Sequence, residues 1–291
     1  MPSPPKVLWT FHGSALVHDY DAALGQLARL VGCRPLEFSD STDPLIARKG
    51  GMTWIGDNSI ELVEPTVPDG GPARMLARNG PGVFCLALQV ADLPGTAAWF
   101  DDLGVSWVGD VASKFLFTHP RDTAGIYLEW AQIERSEWEP RLGAKIPPVP
   151  GEPLIDVLRI DHWGALAEDP AATFERLQQL WPAPVLWHTP DAPLDRPYAA
   201  FWIGDGVFAL YRAPQTPEEI EALWGTTKLG SRHHLMSLYV DDLAGAAETL
   251  DREGIRILRG SPDEGLLVTH PDDVSGITIA WTDKPVGNLA P

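Results

Sequence analysis

Cysteine is nearly absent from this sequence: Cys33 and Cys85 are the only two in 291 residues. Two thiols make no disulfide framework, so the fold must rest on its own core, and a reducing cytoplasm is the expected compartment. Basic side chains are scarce as well, with 22 Lys and Arg against 40 Asp and Glu and a net charge of −18. That imbalance argues against nucleic acid, whose phosphates need clustered Lys and Arg, and against anionic membrane surfaces. Also lacking is any run of about 18 uncharged apolar residues of the kind that spans a bilayer. The stretch MPSPPKVLWT does not have the basic-then-apolar order of a secretory signal. What remains is a chain that is 44% apolar, with the length of about two domains. The expected partner is a small molecule, bound by a monomer or a homodimer.

What the chain does have is repetition. VLWTFHGSALVHD (Val7–Asp19) aligns with VLRIDHWGALAED (Val157–Asp169), and WIGD occurs at Trp54–Asp57 and again at Trp202–Asp205. VADLPGTAAWFDDLGV (Val90–Val105) matches VDDLAGAAETLDREGI (Val240–Ile255), and FTHPRDTAGIYLEW (Phe117–Trp130) matches VTHPDDVSGITIAW (Val268–Trp281). The pairs keep one order and one offset of about 150 residues, the signature of an internal duplication. Two tandem domains are expected, at 1–139 and 154–291. Between them the Pro/Gly-rich stretch at 140–153 has the composition of a linker.

Each half divides again. A strand over KVLWTFH leads to a helix starting near Asp21, where Leu24, Leu27, Ala28 and Val31 form one apolar face. Short strands follow near Leu36–Phe38, Thr53–Ile55 and Ile60–Val63. The plan then restarts with a strand at Val83–Val90, a helix at Pro94–Leu103 and strands near Val105–Val108, Lys114–Thr118 and Gly125–Ala131. Asp242 opens the corresponding helix of the second half, with Leu243, Ala247 and Leu250 inward and Gly254 as its stop. The pattern is βαβββ written four times, an α+β arrangement of helices against curved antiparallel sheets.

Paired βαβββ units carrying IELVEP in one and HPRDTAGIYLEW in the next resemble the vicinal oxygen chelate superfamily of glyoxalases, methylmalonyl-CoA epimerases, extradiol dioxygenases and bleomycin-resistance proteins. The nearest look is to the epimerase and glyoxalase-like branch, and it covers nearly the whole chain as two copies. The resemblance implies a metal site on four strand positions: His12, Glu61, Cys85 and Glu129 in the first half. The epimerase pattern usually has His where Cys85 stands. The same positions in the second half are His162, Ala209, Leu235 and Ala280, a set with one donor.

Imidazole and carboxylates together suit Zn, Mn, Co, Ni or Fe. In GIYLEW, Ile126, Leu128 and Trp130 share one strand face while Tyr127 and Glu129 share the other, and Glu61 likewise opposes Ile60 and Leu62. Both carboxylates can therefore face one cleft. A strand Glu is more often simply solvated, and His12 could equally be a core histidine, as its repetition at His162 suggests. Cys85 is either a thiolate ligand or a small buried hydrophobe. His119 and His270 recur in Thr-His-Pro turns and are read as turn-shaping groups. His233 is expected on the face of Leu235, with His234 turned away.

The resemblance implies isomerase, epimerase or lyase chemistry through a metal-stabilised enolate, with Glu129 and Glu61 as catalytic groups and a small carbonyl or thioester compound as substrate. Arg121 and Lys114 are candidates to meet an anionic group. The alternative is a non-catalytic binder or resistance protein with a Trp-lined, acidic cleft. Non-haem iron dioxygenase chemistry ranks last, because Cys85 or Leu235 occupies the second His position. The second half is expected to have become scaffold, because clustered carboxylates without a metal are costly and Ala209 and Ala280 relieve them.

Overall fold

Four aspartates write the repeat into the backbone. Asp19, Asp92, Asp169 and Asp242 each end a long strand and accept a hydrogen bond from the first turn of the next helix, at 2.9, 3.0, 3.0 and 2.8 Å. Each such cap satisfies an otherwise orphaned N–H, worth about 1 kcal/mol. The computed structural model describes residues 2–38, 40–42, 46–133, 152–227 and 232–286. Residues 140–151 of the expected linker lie outside them.

The four capped pairs are β1 (Val7–Leu16) with α1 (Tyr20–Val31), β5 (Gly82–Val90) with α3 (Leu93–Asp102), β9 (Arg159–Ala167) with α4 (Pro170–Leu180), and β13 (Arg232–Tyr239) with α6 (Leu243–Arg252). Three strands complete each unit. They are β2 (Arg34–Phe38), β3 (Arg48–Ile55) and β4 (Asn58–Pro65), then β6 (Trp107–Asp110), β7 (Phe115–Thr118) and β8 (Leu128–Ala131). In the second half they are β10 (Val185–His188), β11 (Pro197–Ile203) and β12 (Gly206–Arg212), then β14 (Ile257–Ser261), β15 (Leu266–Thr269) and β16 (Thr278–Thr282). The βαβββ plan holds in all four units. It omits two short connecting helices, α2 (Gly71–Asn79) and α5 (Pro217–Trp224).

Each half is one eight-stranded sheet, ordered β2-β3-β4-β1-β5-β8-β7-β6 in the first and β10-β11-β12-β9-β13-β16-β15-β14 in the second. The two units of a half join edge to edge through antiparallel pairing of β1 with β5, or of β9 with β13. One sheet face carries the apolar core under the helices: Ile60, Leu62, Leu86, Leu88, Ile126, Leu128 and Trp130 with Leu27, Leu30 and Phe100. The opposite face of the same strands forms a cup. Alternation along β1, β4, β5 and β8 sends every second side chain there.

The halves pack through reciprocal contacts, as two copies of one domain would. Asp205 in the turn before β12 accepts from Thr10 N–H at 2.9 Å, and Asp57 in the turn before β4 accepts from Ile160 N–H at 3.0 Å. Beside them Gly56 and Gly204 have φ of +59° and +77°, and a Cβ there would come within 2.7 and 2.4 Å of the other half's backbone. Gln26 of α1 donates to the Asp273 carbonyl at 2.7 Å, and Arg176 of α4 donates to the Asp122 carbonyl at 2.8 Å. The central contact breaks the symmetry. Trp163, fully buried, stands over Gly13, where a Cβ would lie 2.3 Å from the indole ring.

Removing either turn carboxylate leaves a strand N–H buried without its partner. Asp57→Ala and Asp205→Ala should each destabilise by about 1–3 kcal/mol, read as a lower urea midpoint. A midpoint unchanged in both would show that these contacts do not hold the halves together.

Candidate functional site

Strand register fixes where the candidate residues meet. Ser14 of β1 pairs with Glu61 of β4 on one side and with Cys85 of β5 on the other. His12 pairs with Ala87, and Ala87 with Glu129 of β8. The cup therefore holds two rows across four strands, Glu61–Ser14–Cys85 and His12–Ala87–Glu129. All four sequence-predicted residues lie on this face.

A line of polar contacts crosses both rows. Arg48 Nη2 lies 3.0 Å from Glu61 Oε1, the Ser14 hydroxyl donates to Glu61 Oε2 at 3.3 Å, and Ser14 Oγ is 3.1 Å from His12 Nδ1. His12 Nε2 then faces Glu129 Oε2 at 3.8 Å. Ser14 has one proton, and Glu61 receives it. The hydroxyl must accept from His12, which puts that ring's proton on Nδ1 and leaves the Nε2 lone pair facing Glu129. Phe11, Met52, Ala87 and Ala131 form an apolar patch in the same half, with Trp9 and Ile133 packed against it.

Burial sets the charges. It pushes the Glu129 carboxyl up to about 8, with the Glu61 carboxylate adding to the rise and Arg48 opposing it. It lowers the His12 imidazole despite the pull of Glu61. At neutral pH the His12–Glu129 contact is thus between two uncharged groups rather than an ion pair. The Cys85 thiol is held well above its usual range by burial and by the two carboxylates, so it stays protonated in the absence of a cation.

The raised carboxyl has a consequence for stability. The folded state holds the Glu129 proton up to about pH 8 while the unfolded chain releases it near 4.5. Folding is therefore favoured most below the unfolded value, and this contribution is lost as pH rises through about 8. In chelator-treated protein the loss should be on the order of 2–4 kcal/mol. Glu129→Gln should flatten the curve in denaturant melts across this range. Parallel curves for the two proteins would contradict the shift.

Sequence reasoning missed Ser14 and Arg48. Ser14 shares His12's face at the next alternate position and was legible there. Arg48 was not, because it enters the site only through the β3–β4 register, in which Glu61 pairs with Met52. Arg121 instead bonds Ser106 Oγ at 2.8 Å and lies by Asp122, and Lys114 sits in the β6–β7 turn with φ of +68°. His119 and His270 do shape their turns, accepting from Arg121 and Asp272 N–H at 3.2 and 3.3 Å.

The second cup is filled. Register puts Ala209, Leu235 and Ala280 at the places of Glu61, Cys85 and Glu129. All three belong to an apolar cluster with Tyr211, Ile220, Trp224 and Val286. His162 is a satisfied core group, bonded to Asp161 at 2.7 Å and to the Tyr211 hydroxyl at 2.8 Å. The plug comes largely from α5, which buries Ile220 and Trp224, whereas α2, its counterpart in the first half, has no buried residue. The expectation for His233 and His234 is reversed. A register irregularity between His233 and Leu235 turns His234 toward Trp224, with ring centroids 4.4 Å apart. His233 instead faces the first half, 2.7 Å from the Tyr127 carbonyl.

A cleft of about 1610 Å³ lies elsewhere, between the halves, lined among others by Arg78, Tyr127, Arg232 and Arg256. Tyr127, at its wall, is stacked on Phe117 at 5.5 Å and Phe84 at 6.2 Å. None of His12, Glu61, Cys85 or Glu129 lines it.

Residues 11–117, which hold His12, Arg48, Glu61 and Cys85, match the family described as the glyoxalase/bleomycin resistance protein/dioxygenase superfamily. The matched segment lies wholly within the first half. The second half repeats the strand order of the first, so the two eight-stranded sheets form a tandem pair of one fold. A mutant of 4-hydroxymandelate synthase from Streptomyces coelicolor has a similar fold over 99% of this chain and 98% of its own, with a TM-score of 0.66 and 15% identity. A xylose isomerase-like TIM barrel/4-hydroxyphenylpyruvate dioxygenase fusion protein matches 96% of this chain with a TM-score of 0.61 and 13% identity. This chain spans 49% of the fusion's length. At such identities the likeness is one of fold. No curated protein matches the sequence. None of the described helices is long and apolar enough to cross a membrane.

Proposed function

We propose that the first half is a metal-dependent enzyme of the isomerase, epimerase or lyase kind, moving a proton at the carbon beside a carbonyl or thioester of a small substrate. One observation carries the reading. Two carboxylates and an imidazole share the face of one cup, linked through Ser14 and lying against an apolar patch, while the matching carboxylate positions of the other half are apolar and plugged.

The donor set fits a divalent ion of the Zn, Mn, Co, Ni or Fe class in kind. His12 keeps Nε2 for it, and the Glu129 carboxyl is held neutral by burial and by Glu61, a state that a nearby cation would reverse. His12, Glu61 and Glu129 would hold the ion, and Cys85 is a fourth donor whose thiol ionises only against a cation. When bound, the ion supplies Lewis-acid stabilisation of negative charge on a carbonyl oxygen. The chain's own residues do the rest. Glu129 carries or accepts the moving proton near neutral pH. Ser14 fixes the His12 tautomer, and the patch of Phe11, Met52 and Ala87 takes the substrate's apolar part and excludes water.

A metal-free small-molecule binder is the competing reading. It is favoured by one fact: among the described residues no three metal-ligating side chains already form a metal-holding group. A deuterium-exchange assay on small 2-oxo acids and thioesters separates the two. The enzyme reading expects exchange of the proton beside the carbonyl, lost on chelation. Tight binding with no exchange in any metal form would favour the binder.

A further inference from the structure

We infer that Arg48 is a resident counter-ion of the first cup that competes with the divalent metal for Glu61. The inference rests on the reading of His12, Glu61 and Glu129 as the metal-holding set and adds a control on that set. Both oxygens of Glu61 are engaged, one by the Arg48 guanidinium at 3.0 Å and the other by the Ser14 hydroxyl at 3.3 Å. In this arrangement Glu61 has its charge neutralised and its better acceptor directions taken. His12 and Glu129 approach each other at 3.8 Å, but the third donor is bound to an arginine. Among the described residues no ready group of three donors is formed.

The pair is partly sealed from water, with 20% of the Arg48 side chain and 11% of the Glu61 side chain exposed. It is therefore less screened than a surface ion pair. A divalent ion and a guanidinium on one carboxylate repel each other, so each weakens the other's hold on Glu61, and the metal binds more readily when the arginine swings away. The backbone need not move. The Arg48 backbone is pinned to Ser41 by two reciprocal hydrogen bonds of 2.9 Å, and the swing would break side-chain contacts, among them the bond to the Ile46 carbonyl at 3.4 Å.

The test is metal affinity, measured without reference to turnover. Chelator-treated full-length protein is titrated with Co²⁺, whose visible absorption reports coordination, and with Zn²⁺ by calorimetry. The titrations are repeated on Arg48→Met and Arg48→Gln, two ways of removing the charge in case one does not fold. Each variant should bind at least about tenfold more tightly than the unaltered protein, a difference of about 1.4 kcal/mol. Arg48→Lys, which keeps the charge, should fall between. Adding Glu129→Ala to Arg48→Met should abolish the gain. Equal or weaker affinity in variants with an unchanged circular dichroism spectrum would overturn the role of Arg48 and leave the metal site standing. A gain that survives Glu129→Ala would place the ion elsewhere and overturn it too. No metal binding by any of the proteins would overturn both.

Discussion

Replacing Glu129 by Ala is expected to lower turnover by about 10²–10⁴-fold, the range for losing a general acid or base. The group combines three properties that no other residue of the cup has. Without a cation it is raised to about 8 by burial and by Glu61, so its proton affinity is set by whether the ion is bound. It faces the open lone pair of His12 at 3.8 Å. It also stands on the strand beside Tyr127 and Phe117, at the wall toward the cleft between the halves. Glu129→Gln keeps the shape and removes the proton, so it should lose nearly as much rate while folding normally. A change in the other cup at the place of His12, His162→Ala, should leave turnover intact, because His162 is tied to Asp161 and Tyr211. Turnover of Glu129→Ala within about threefold of the unaltered protein would remove Glu129 from the chemistry.

Trp163→Ala should be the most damaging change outside the cup, destabilising by about 3–5 kcal/mol. The indole is fully buried at the centre of the contact between halves and fills the space left by Gly13. Truncation removes its dispersion contacts and opens a cavity that neighbouring strands, fixed by their ladders, cannot collapse into. A half-exposed tryptophan such as Trp54, whose indole donates only to the nearby Gly56 carbonyl, should cost much less when truncated. Chemical denaturation of both variants decides the matter. A loss below about 1 kcal/mol for Trp163→Ala would mean that the halves are held by their reciprocal turn contacts instead.

These outcomes depend on features of unequal visibility in the sequence. The fold was legible because repetition and alternation are local: the paired segments such as WIGD, the helix start at Asp242 and the apolar faces of the helices and strands all read directly from the chain. The facing of Glu61 and Glu129 into one cup followed from the same alternation. Arg48 was hidden because a long side chain at a strand end reaches a partner set by cross-strand register. His233 and His234 were assigned to the wrong faces because a one-residue irregularity reverses alternation and leaves no local mark in the sequence. The short helices α2 and α5 lie in Gly- and Pro-flanked stretches that read as connections, yet α5 supplies the tryptophan that plugs the second cup. The asymmetry between the halves, which the loss of Glu at Ala280 hinted at, thus has a steric side that only packing reveals.

The central claim is that the first cup alone holds a metal, and elemental analysis of the intact protein tests it most directly. One equivalent of a divalent metal per chain is predicted, absent from Glu129→Ala and His12→Ala and retained in His162→Ala. Metal that persists in the first two variants, or that is lost only in the third, would contradict it.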